Sequence, residues 1–328
     1  MKPVCQQPPS SLARREFLVL GAGAIGFSTR SRQGLAEEPG LPLPGGGSPP
    51  FVFGLNTSTI RGQMLSIVEI IDIASRAGYQ GMEPWLDELT RYADSGGSLP
   101  DLGKRFRDAG ITVESVIDFF EWAVDDPGRR AKALESARRS MEIVRQVGGR
   151  RIAAPPVGAT DVHLDPLRVA ERYRELLELG DAFGVVPQVE VWGFSQTLGR
   201  LGEAALVAIE SGHPKACILP DVYHLHRGGS AFEGVRLLSP AAIHVLHVND
   251  YPATIPRERL TDADRIYPGD GAAPYGELLR NLAAGGFRLM LSLELFNREL
   301  WTQDPGAVAR TGLEKMKAVV QASIPASG

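Results

Sequence analysis

The strongest constraint on the fold is a strict alternation of apolar strand patterns with helical patterns, beginning at Phe51. Eight short apolar runs are typical of buried strands, and each is followed by a segment with helical periodicity. The predicted strands are 51–56, 79–85, 111–117, 150–156, 186–192, 216–221, 243–249 and 287–295. The predicted helices lie near 64–77, 99–109, 129–147, 166–183, 197–211, 231–238, 274–285 and 306–321. Repeated strand–helix units predict a parallel sheet.

The number of units favours a closed barrel over an open sheet. Eight units within roughly 270 residues match the usual size of a closed (β/α)8 barrel. An open, doubly wound sheet usually carries a phosphate-binding loop after its first strand, where this chain reads NTSTIRG. Several strands follow a glycine stop, as in AGYQG, AGITV and GGFRL, and glycine commonly ends the preceding helix. We therefore predict an α/β fold, a TIM barrel in one domain over residues 51–328.

The N-terminal residues 1–36 have the pattern of an export signal. The charged stretch ARREFL precedes the apolar run VLGAGAIGF. Arg14 and Arg15 resemble the pair of a Tat signal, with Ala13 at the position that Ser or Thr usually takes. The apolar run is shorter than the roughly 20 residues of a membrane-spanning helix, so we expect no stable membrane insertion. We expect a periplasmic or secreted protein; the alternative is a disordered N-terminal extension.

A predicted linker bounds the folded domain, and the composition limits the kinds of site and partner. Residues 37–50, which include PGLPLPGGGSPP, form a predicted Pro/Gly-rich linker with nothing to bury. Of the two cysteines, Cys5 lies in the predicted leader, so Cys217 alone remains, which excludes an intramolecular disulfide and argues against a cysteine-based zinc site. The net charge of −4, without a basic run in the predicted barrel, argues against nucleic acid as a partner.

Ionisable residues end four consecutive strands of the predicted barrel. The fifth strand ends at Glu190 in VEVWG, and the sixth ends at Asp221 in LPDVYHLH. The seventh ends with His247 in HVLHVND, and the eighth with Glu294 in SLELFN. Active sites of such barrels lie at the C-terminal ends of the strands, so barrel closure would bring these four side chains together.

Each of these residues also has a purely structural interpretation. A single glutamate near a strand end is commonly a helix cap or a surface carboxylate, and a single histidine is commonly a core residue. Three buried carboxylates close together would repel each other and take up protons unless a cation neutralised them. We therefore predict one divalent metal ion, Mn²⁺, Mg²⁺, Co²⁺ or Zn²⁺, held by Glu190, Asp221, His247 and Glu294.

Other polar and aromatic residues are candidates for contact with a substrate. His224 follows Asp221 by three residues and lies beyond the strand, where it can reach a substrate hydroxyl. Glu83 ends the second strand and binds a substrate hydroxyl or pairs with a neighbouring arginine. Trp192 shares the inward parity of Glu190, so it is either a sugar-stacking wall or part of the core. His244 has the opposite parity to His247 and is not chosen.

The segments VEVWG, PDVYHLH, HVND and SLELF resemble the xylose-isomerase-like barrel superfamily of sugar isomerases and epimerases. The resemblance runs from about Phe51 to Val320, and the motif TDADRIYPGDG, residues 261–271, is similar to that of the inosose isomerase branch. It implies that one divalent metal is bound by the four strand-end residues, Glu190, Asp221, His247 and Glu294. It also implies that His224 contacts the substrate and that Arg265 holds the substrate or orders its loop.

The resemblance implies a metal-dependent isomerase or epimerase of a keto-sugar or keto-inositol. Glu190 and Glu294 would be the catalytic proton carriers, working through a metal-stabilised enediolate. Inosose isomerases are cytoplasmic, whereas this chain carries an export pattern, which also argues against a phosphorylated substrate. Barrels of this family often form homodimers, although no interface signal stands out in the sequence.

Three other functions share features with this reading. A lyase that eliminates a leaving group from a 3-keto-glycoside begins with the same proton abstraction. A non-catalytic sugar-binding protein would keep the aromatic wall but would not need two opposed glutamates. An apurinic endonuclease on the same barrel needs further metal-binding histidines on its early strands, and the third strand, ITVESVIDFF, offers none.

Overall fold

The computed structural model describes residues 50–324, and within them the chain forms eight strands and nine α-helices. The strands are β1 Phe51–Asn56, β2 Gly81–Glu83, β3 Thr112–Val113, β4 Arg151–Ala154, β5 Val186–Glu190, β6 Ile218–Leu219, β7 Val245–Val248 and β8 Leu289–Leu293. The predicted export signal, residues 1–36, and the predicted linker as far as residue 49 lie outside the described residues.

The helices alternate with the strands along the chain. The α-helices are α1 Ile67–Ala77, α2 Leu86–Asp94, α3 Leu99–Asp108, α4 Pro127–Gln146, α5 Pro166–Asp181, α6 Leu201–Glu210, α7 Val222–Arg227, α8 Tyr275–Ala284 and α9 Pro305–Ser323. Short 3-10 helices are Thr57–Gln63, Phe232–Leu237, Pro240–Ala242, Arg257–Arg259, Asp262–Asp264 and Leu300–Thr302. None of the helices between residues 50 and 324 is long and apolar enough to cross a membrane.

The strands close into a parallel barrel. One set pairs in the order β3-β2-β1-β8-β7 and another in the order β4-β5-β6. Parallel bridges join the two sets, Val116 with Ile152 at one junction and Asp221 with His247 at the other. The prediction of a (β/α)8 TIM barrel is therefore confirmed. The second junction also sets two of the predicted metal ligands side by side.

The helix α1 shows how the local sequence builds the outer layer. Ser66 caps its N-terminus and accepts a hydrogen bond from the Glu69 N–H, while the Glu69 side chain accepts one from the Ser66 N–H. Ile70 and Ile71 are buried on the barrel side, each contributing about 1.5–3 kcal/mol through removal from water. Gly78 ends the helix with a φ of 96°, a conformation that glycine adopts without strain.

The helix predictions are correct except around the sixth unit and after β2. The segment predicted as a helix near 231–238 is a 3-10 helix, Phe232–Leu237. The helices α2 and α7 were not predicted, because each begins directly at a strand end without an intervening turn signal. Trp85 precedes α2 and Asp221 caps α7. Both residues also belong to the site described next.

The barrel interior combines apolar and polar side chains. Alternate residues of a strand point to the same face, so Met290, Ser292 and Glu294 of the β8 segment lie on the interior side. The apolar members of the interior form one buried cluster, which consists of Ile117, Ala153, Leu219, Val245 and Met290. Fully buried polar side chains accompany them, namely Glu83, Ser115, Gln188, His247 and Ser292. Such polar residues need partners, and those partners define the site.

Candidate active site

Three predicted metal ligands form a compact cluster at the C-terminal ends of the strands. One ligand atom from each of Asp221, His247 and Glu294 lies within 4.8 Å of the others, and all three residues are buried. His247 Nδ1 lies 3.2 Å from Glu294 Oε2 and 3.8 Å from Asp221 Oδ2. Glu190 Oε1 lies 3.9 Å from the same nitrogen. The structure therefore brings all four predicted ligands together around His247 Nδ1.

The donor atoms of this cluster fit a divalent cation. Glu190 Oε2 is buried and has no hydrogen-bond partner among the described residues. An unpartnered buried polar atom is costly, and a cation at the cluster would satisfy it. Three carboxylates and one imidazole suit a divalent metal of intermediate hardness. The ligand set indicates one divalent metal ion and does not distinguish among candidate metals.

Asp221 is oriented by the start of α7. Its Oδ1 accepts a hydrogen bond of 2.8 Å from the His224 N–H, so one oxygen caps the helix. Its Oδ2 accepts a hydrogen bond of 2.9 Å from Asn249 Nδ2 and faces the cluster. The Asn249 side chain is in turn fixed by the Tyr223 N–H. The same residue that begins the helix therefore presents an oxygen to the cluster.

Glu294 is held from both sides. Asn56, at the end of β1, donates a hydrogen bond of 3.1 Å to Glu294 Oε1. Arg265 Nη1 donates one of 2.7 Å to Glu294 Oε2 and another of 2.9 Å to Asp221 Oδ2. The carboxylate that interrupts the apolar β8 segment therefore has three types of partner, an amide, a guanidinium and the His247 imidazole. These contacts offset the cost of burying its charge.

Glu83 contacts His247 and does not face the cavity. Its Oε2 lies 3.0 Å from His247 Nε2, and both side chains are fully inaccessible to solvent. The sequence suggested a substrate hydroxyl or an arginine as the partner of Glu83, and the structure shows the histidine instead. Burial favours a raised pKa for Glu83, but His247 outweighs it and the pKa is lowered. A carboxylate on the far nitrogen of a ligating histidine fixes the ring and its tautomer.

The two glutamates of the cluster have opposite pKa shifts. Burial raises the pKa of Glu190 to about 8, against the lowering effect of His247. Burial also acts to raise the pKa of Glu294, but His247 and Arg265 outweigh it, so this pKa is lowered. At neutral pH the metal-free site therefore holds a protonated Glu190 and an ionised Glu294. Paired carboxyl groups with separated pKa values are typical of acid–base catalysis.

His224 and Arg265 lie beside the cluster. Burial lowers the pKa of His224 to about 3, so the imidazole is neutral near pH 7. Its Nδ1 accepts a hydrogen bond of 3.2 Å from the Gly193 N–H. The Arg265 side chain is 1% exposed, and its Nη2 donates a hydrogen bond of 2.6 Å to Asp262 Oδ1. Both residues are thus pre-positioned without the substrate.

Asp250 folds the segment that carries Arg265 back onto the barrel. Asp250 pairs with Ile266 in an antiparallel bridge. Its carboxylate accepts hydrogen bonds of 2.8–3.0 Å from four backbone N–H groups, those of Tyr251, Gly269, Gly271 and Ala273. A Cβ on Gly271 would overlap with the Tyr251 carbonyl oxygen, so this close approach requires glycine. The glycines of the 261–271 motif therefore serve to place Arg265.

A cavity of about 210 Å³ opens above the cluster. Its walls include both glutamates of the cluster and three predicted substrate residues, His224, Arg265 and Trp192. Several aromatic side chains complete the wall, namely Trp85, Phe119, Phe194 and Phe296. A larger groove of about 440 Å³ lies beside α1 and α2 and shares no residue with this cavity. We place the site in the smaller cavity because it contains the buried carboxylates.

Sequence reasoning missed the supporting residues of this site. Asn56 and Asn249 orient two of the predicted ligands, Glu294 and Asp221, and the sequence patterns predict no role for either. Both stand at strand ends, so the rule that identified the four ligands could also have found them. The aromatic residues of the wall lie in connections after β2, β3, β5 and β8, and their mutual contacts carry no local sequence signal.

Comparisons with known proteins agree with this geometry. Residues 71–319 match the family model described as xylose isomerase-like TIM barrel. The inosose isomerase of Bacillus velezensis is 27% identical over 257 residues, which cover 76% of this chain and 90% of that protein. The 3-dehydroshikimate dehydratase of Pseudomonas aeruginosa is 21% identical over 252 residues, covering 76% of this chain and 39% of that protein.

A solved structure shows the same fold. The crystal structure of the IolI protein with a binding zinc atom has a TM-score of 0.77 and 21% sequence identity. The match covers 84% of this chain and 100% of that one.

Proposed function

The chain belongs to the xylose isomerase-like TIM barrel family and is an enzyme of the sugar isomerase and epimerase superfamily, and we propose that it is a divalent-metal-dependent isomerase or epimerase of a keto-sugar or keto-inositol. One observation carries the proposal. Two buried glutamates with opposite pKa shifts, Glu190 and Glu294, share a cavity wall with a compact set of metal ligands.

The metal would be held by Glu190, Asp221, His247 and Glu294. When bound, a divalent cation supplies Lewis-acid polarisation of a substrate carbonyl and stabilises the enediolate that proton loss creates. The name of the zinc-containing IolI structure supports a metal of this type. Glu83 would hold the His247 ring in position for this role.

Proton transfer is assigned to the two glutamates. Glu294 has a lowered pKa and is ionised, so it would accept the proton from the carbon next to the carbonyl. Glu190, which is ionised when it holds the metal, would take up a proton from solvent during the cycle and return it on the other carbon or the other face, while Glu294 loses its proton to solvent. The two residues end nonadjacent strands, β5 and β8, and so approach a substrate from different sides.

His224 and Arg265 would orient the substrate. His224 is neutral, so its imidazole can exchange hydrogen bonds with a sugar hydroxyl without adding charge. Arg265 neutralises part of the charge on Asp221 and Glu294, which keeps these carboxylates fixed. The surrounding apolar side chains exclude water and strengthen these interactions.

The test is solvent deuterium exchange into keto-sugars and keto-inositols by the metal-loaded protein. Glu190→Gln and Glu294→Gln should each lower the exchange rate by about 10²–10⁴, the usual contribution of a positioned acid or base. Glu88→Gln is the matched control, since Glu88 is buried on α2 and has no contact with the ligands. Near-wild-type exchange in Glu294→Gln, with folding confirmed by circular dichroism, would overturn the assignment.

A lyase is the second candidate. The similarity to 3-dehydroshikimate dehydratase supports it, because a dehydratase eliminates a leaving group. On a 3-keto-glycoside, the proton would leave C2, the C2 electron pair would form a C1–C2 double bond, and the aglycone would depart from C1. NMR of the products separates the candidates, since a lyase releases free aglycone whereas an isomerase or epimerase retains it. Deuterium uptake into the substrate or into an elimination product would exclude a non-catalytic sugar-binding protein.

We also propose that the protein is exported. The twin-arginine pattern of residues 1–36 supports a periplasmic or secreted enzyme that is exported after folding. A fusion of these residues to a reporter that requires Tat transport tests this, with Arg14→Lys combined with Arg15→Lys as the control. Equal export of both fusions would contradict the Tat assignment.

A further inference from the structure

An arc of aromatic rings borders the mouth of the cavity. Its six members follow five strands and contact one another in series, in the order Phe296, Trp85, Phe119, Trp192, Phe194 and His224. The centroids of successive rings are 6.0, 5.1, 6.1, 5.3 and 5.7 Å apart. These separations lie within the range of favourable ring–ring contact. We call this set the aromatic arc.

Both indoles of the arc lie beside the ligand cluster. Trp85 Nε1 donates a hydrogen bond of 3.2 Å to Asn56 Oδ1, and Asn56 in turn donates to Glu294. Trp192 lines the same cavity as Glu190 and lowers the pKa of that carboxyl. The carbon faces of the rings remain available for a ligand.

Two phenylalanines of the arc are exposed to solvent. Phe119 is 42% exposed and Phe194 is 45% exposed, and both contact Trp192. Isolated exposed apolar residues are common on protein surfaces, but these two belong to one contiguous patch beside a polar site. Their exposure has a cost that binding of an apolar group would relieve, at about 25 cal/mol for each Å² covered.

The cavity below the arc is small. Its volume of about 210 Å³ is under the roughly 300–1,000 Å³ of pockets that hold drug-sized ligands. A single sugar ring bound at the metal ligands would occupy it. The exposed rings of Phe119 and Phe194 stand at the mouth, where a group attached to that sugar would lie.

The electrostatics of the cavity oppose a phosphate as that attached group. The ionisable residues of the lining include three carboxylates, Glu190, Asp262 and Glu294. Among the lining residues that the structure describes, Arg265 is the only lysine or arginine. Both of its terminal nitrogens already bind Asp221, Glu294 and Asp262. A phosphate would therefore meet like charges without a free cationic partner.

We propose that the aromatic arc binds a planar, apolar group linked to the sugar, so that the substrate is a keto-sugar glycoside with an aromatic aglycone. This inference rests on the proposed function of the cavity and names its substrate class. The sugar ring would sit over the ligand cluster, and the aglycone would stack on Phe119, Trp192 and Phe194. The arc then accounts for substrate specificity that the ligand cluster leaves open.

The test compares two probes, phenyl and methyl 3-keto-β-D-glucoside, with the metal-loaded full chain. Binding is followed by tryptophan fluorescence and by calorimetry. The phenyl glycoside should bind about tenfold more tightly, since one aromatic contact with its buried area contributes about that factor. In Phe119→Ala and Phe194→Ala the ratio of the affinity for the phenyl glycoside to that for the methyl glycoside should fall to about two or three. Phe194→Leu keeps an apolar side chain without a ring and should also lower the ratio.

The control is Leu237→Ala, because Leu237 is 90% exposed and lies outside the cavity. The phenyl-to-methyl affinity ratio of Leu237→Ala should equal that of the wild type. Equal affinity of the two probes for the wild type, or an unchanged ratio in both phenylalanine variants, would overturn the proposal. Tighter binding of 3-keto-glucose 6-phosphate than of the phenyl glycoside would also overturn it. Absent deuterium exchange with a retained phenyl preference would refute the proposed reaction and still support the aglycone site.

Discussion

Metal binding should displace a proton from Glu190. Burial raises the pKa of this carboxyl to about 8, against the lowering effect of His247. A carboxyl group binds a metal ion in its ionised form, so binding below pH 8 requires the proton to leave. The contribution of Glu190 to metal affinity is therefore complete well above pH 8 and decreases as the pH falls through 8.

The magnitude follows from the pKa. Each pH unit below about 8 weakens the contribution of Glu190 by about tenfold, so at pH 6 the loss is about 100-fold, or about 2.7 kcal/mol. In Glu190→Gln this proton does not exist. The slope of log K against pH should therefore be smaller by about one in the variant. Protons displaced from other ligands affect both proteins and cancel in the difference.

Isothermal titration calorimetry with Mn²⁺ between pH 6 and 8 measures this slope. Titrations in two buffers of different ionisation enthalpy count the released protons, and Glu190→Gln should release about one fewer at pH 6. Asp118→Asn is the matched control, because burial also raises the pKa of Asp118 but this residue lies outside the ligand cluster. An equal slope and equal proton release in Glu190→Gln and the wild type would refute the reasoning.

Three further measurements test other parts of the site. Glu83→Gln should weaken Co²⁺ binding by about 10–100-fold and change the visible spectrum of bound Co²⁺, since the His247 ring loses its carboxylate partner. The control Glu88→Gln should change neither the affinity nor the spectrum. Asp250→Ala should lower the free energy of unfolding in urea by about 3 kcal/mol, because four backbone N–H groups lose their acceptor. The control is Asp270→Ala on the same segment. An effect of Asp250→Ala no larger than that of the control would contradict this role. Chelation of a metal held at 100 times its Kd should lower Tm by about 5–10 °C, and an unchanged Tm would argue against a metal that stabilises the barrel.

The fold was largely predictable because its signals are local. Each strand of the barrel is a short apolar run, and each of the longer helices has a clear period and an end signal, as Ser66 and Gly78 show for α1. The exceptions, α2 and α7, are short helices that start at strand ends. Their first residues serve the site as well as the helix, and Asp221 illustrates this by capping α7 while facing the cluster.

The convergence of the four predicted metal ligands could be foreseen for a different reason. In a barrel, the side-chain alternation of each strand and the common position of the strand ends fix where a residue lies, even without its neighbours. Glu190, Asp221, His247 and Glu294 satisfy both conditions, and the structure brings them together. The partner of Glu83 was not predictable, because His247 is a distant residue in the sequence and reaches Glu83 only across the closed barrel.

The eight-unit barrel and the charged residues at its C-terminal edge can be read from the chain alone, since both follow from periodicities along it. The tertiary structure decided the partners of those residues. It set Glu83 behind His247, placed Arg265 between two carboxylates through the Asp250 loop, and joined rings that follow five different strands into the aromatic arc. These contacts form because barrel closure brings loops that are distant in the sequence within a few ångströms of each other. Local sequence patterns do not indicate which distant residues will meet.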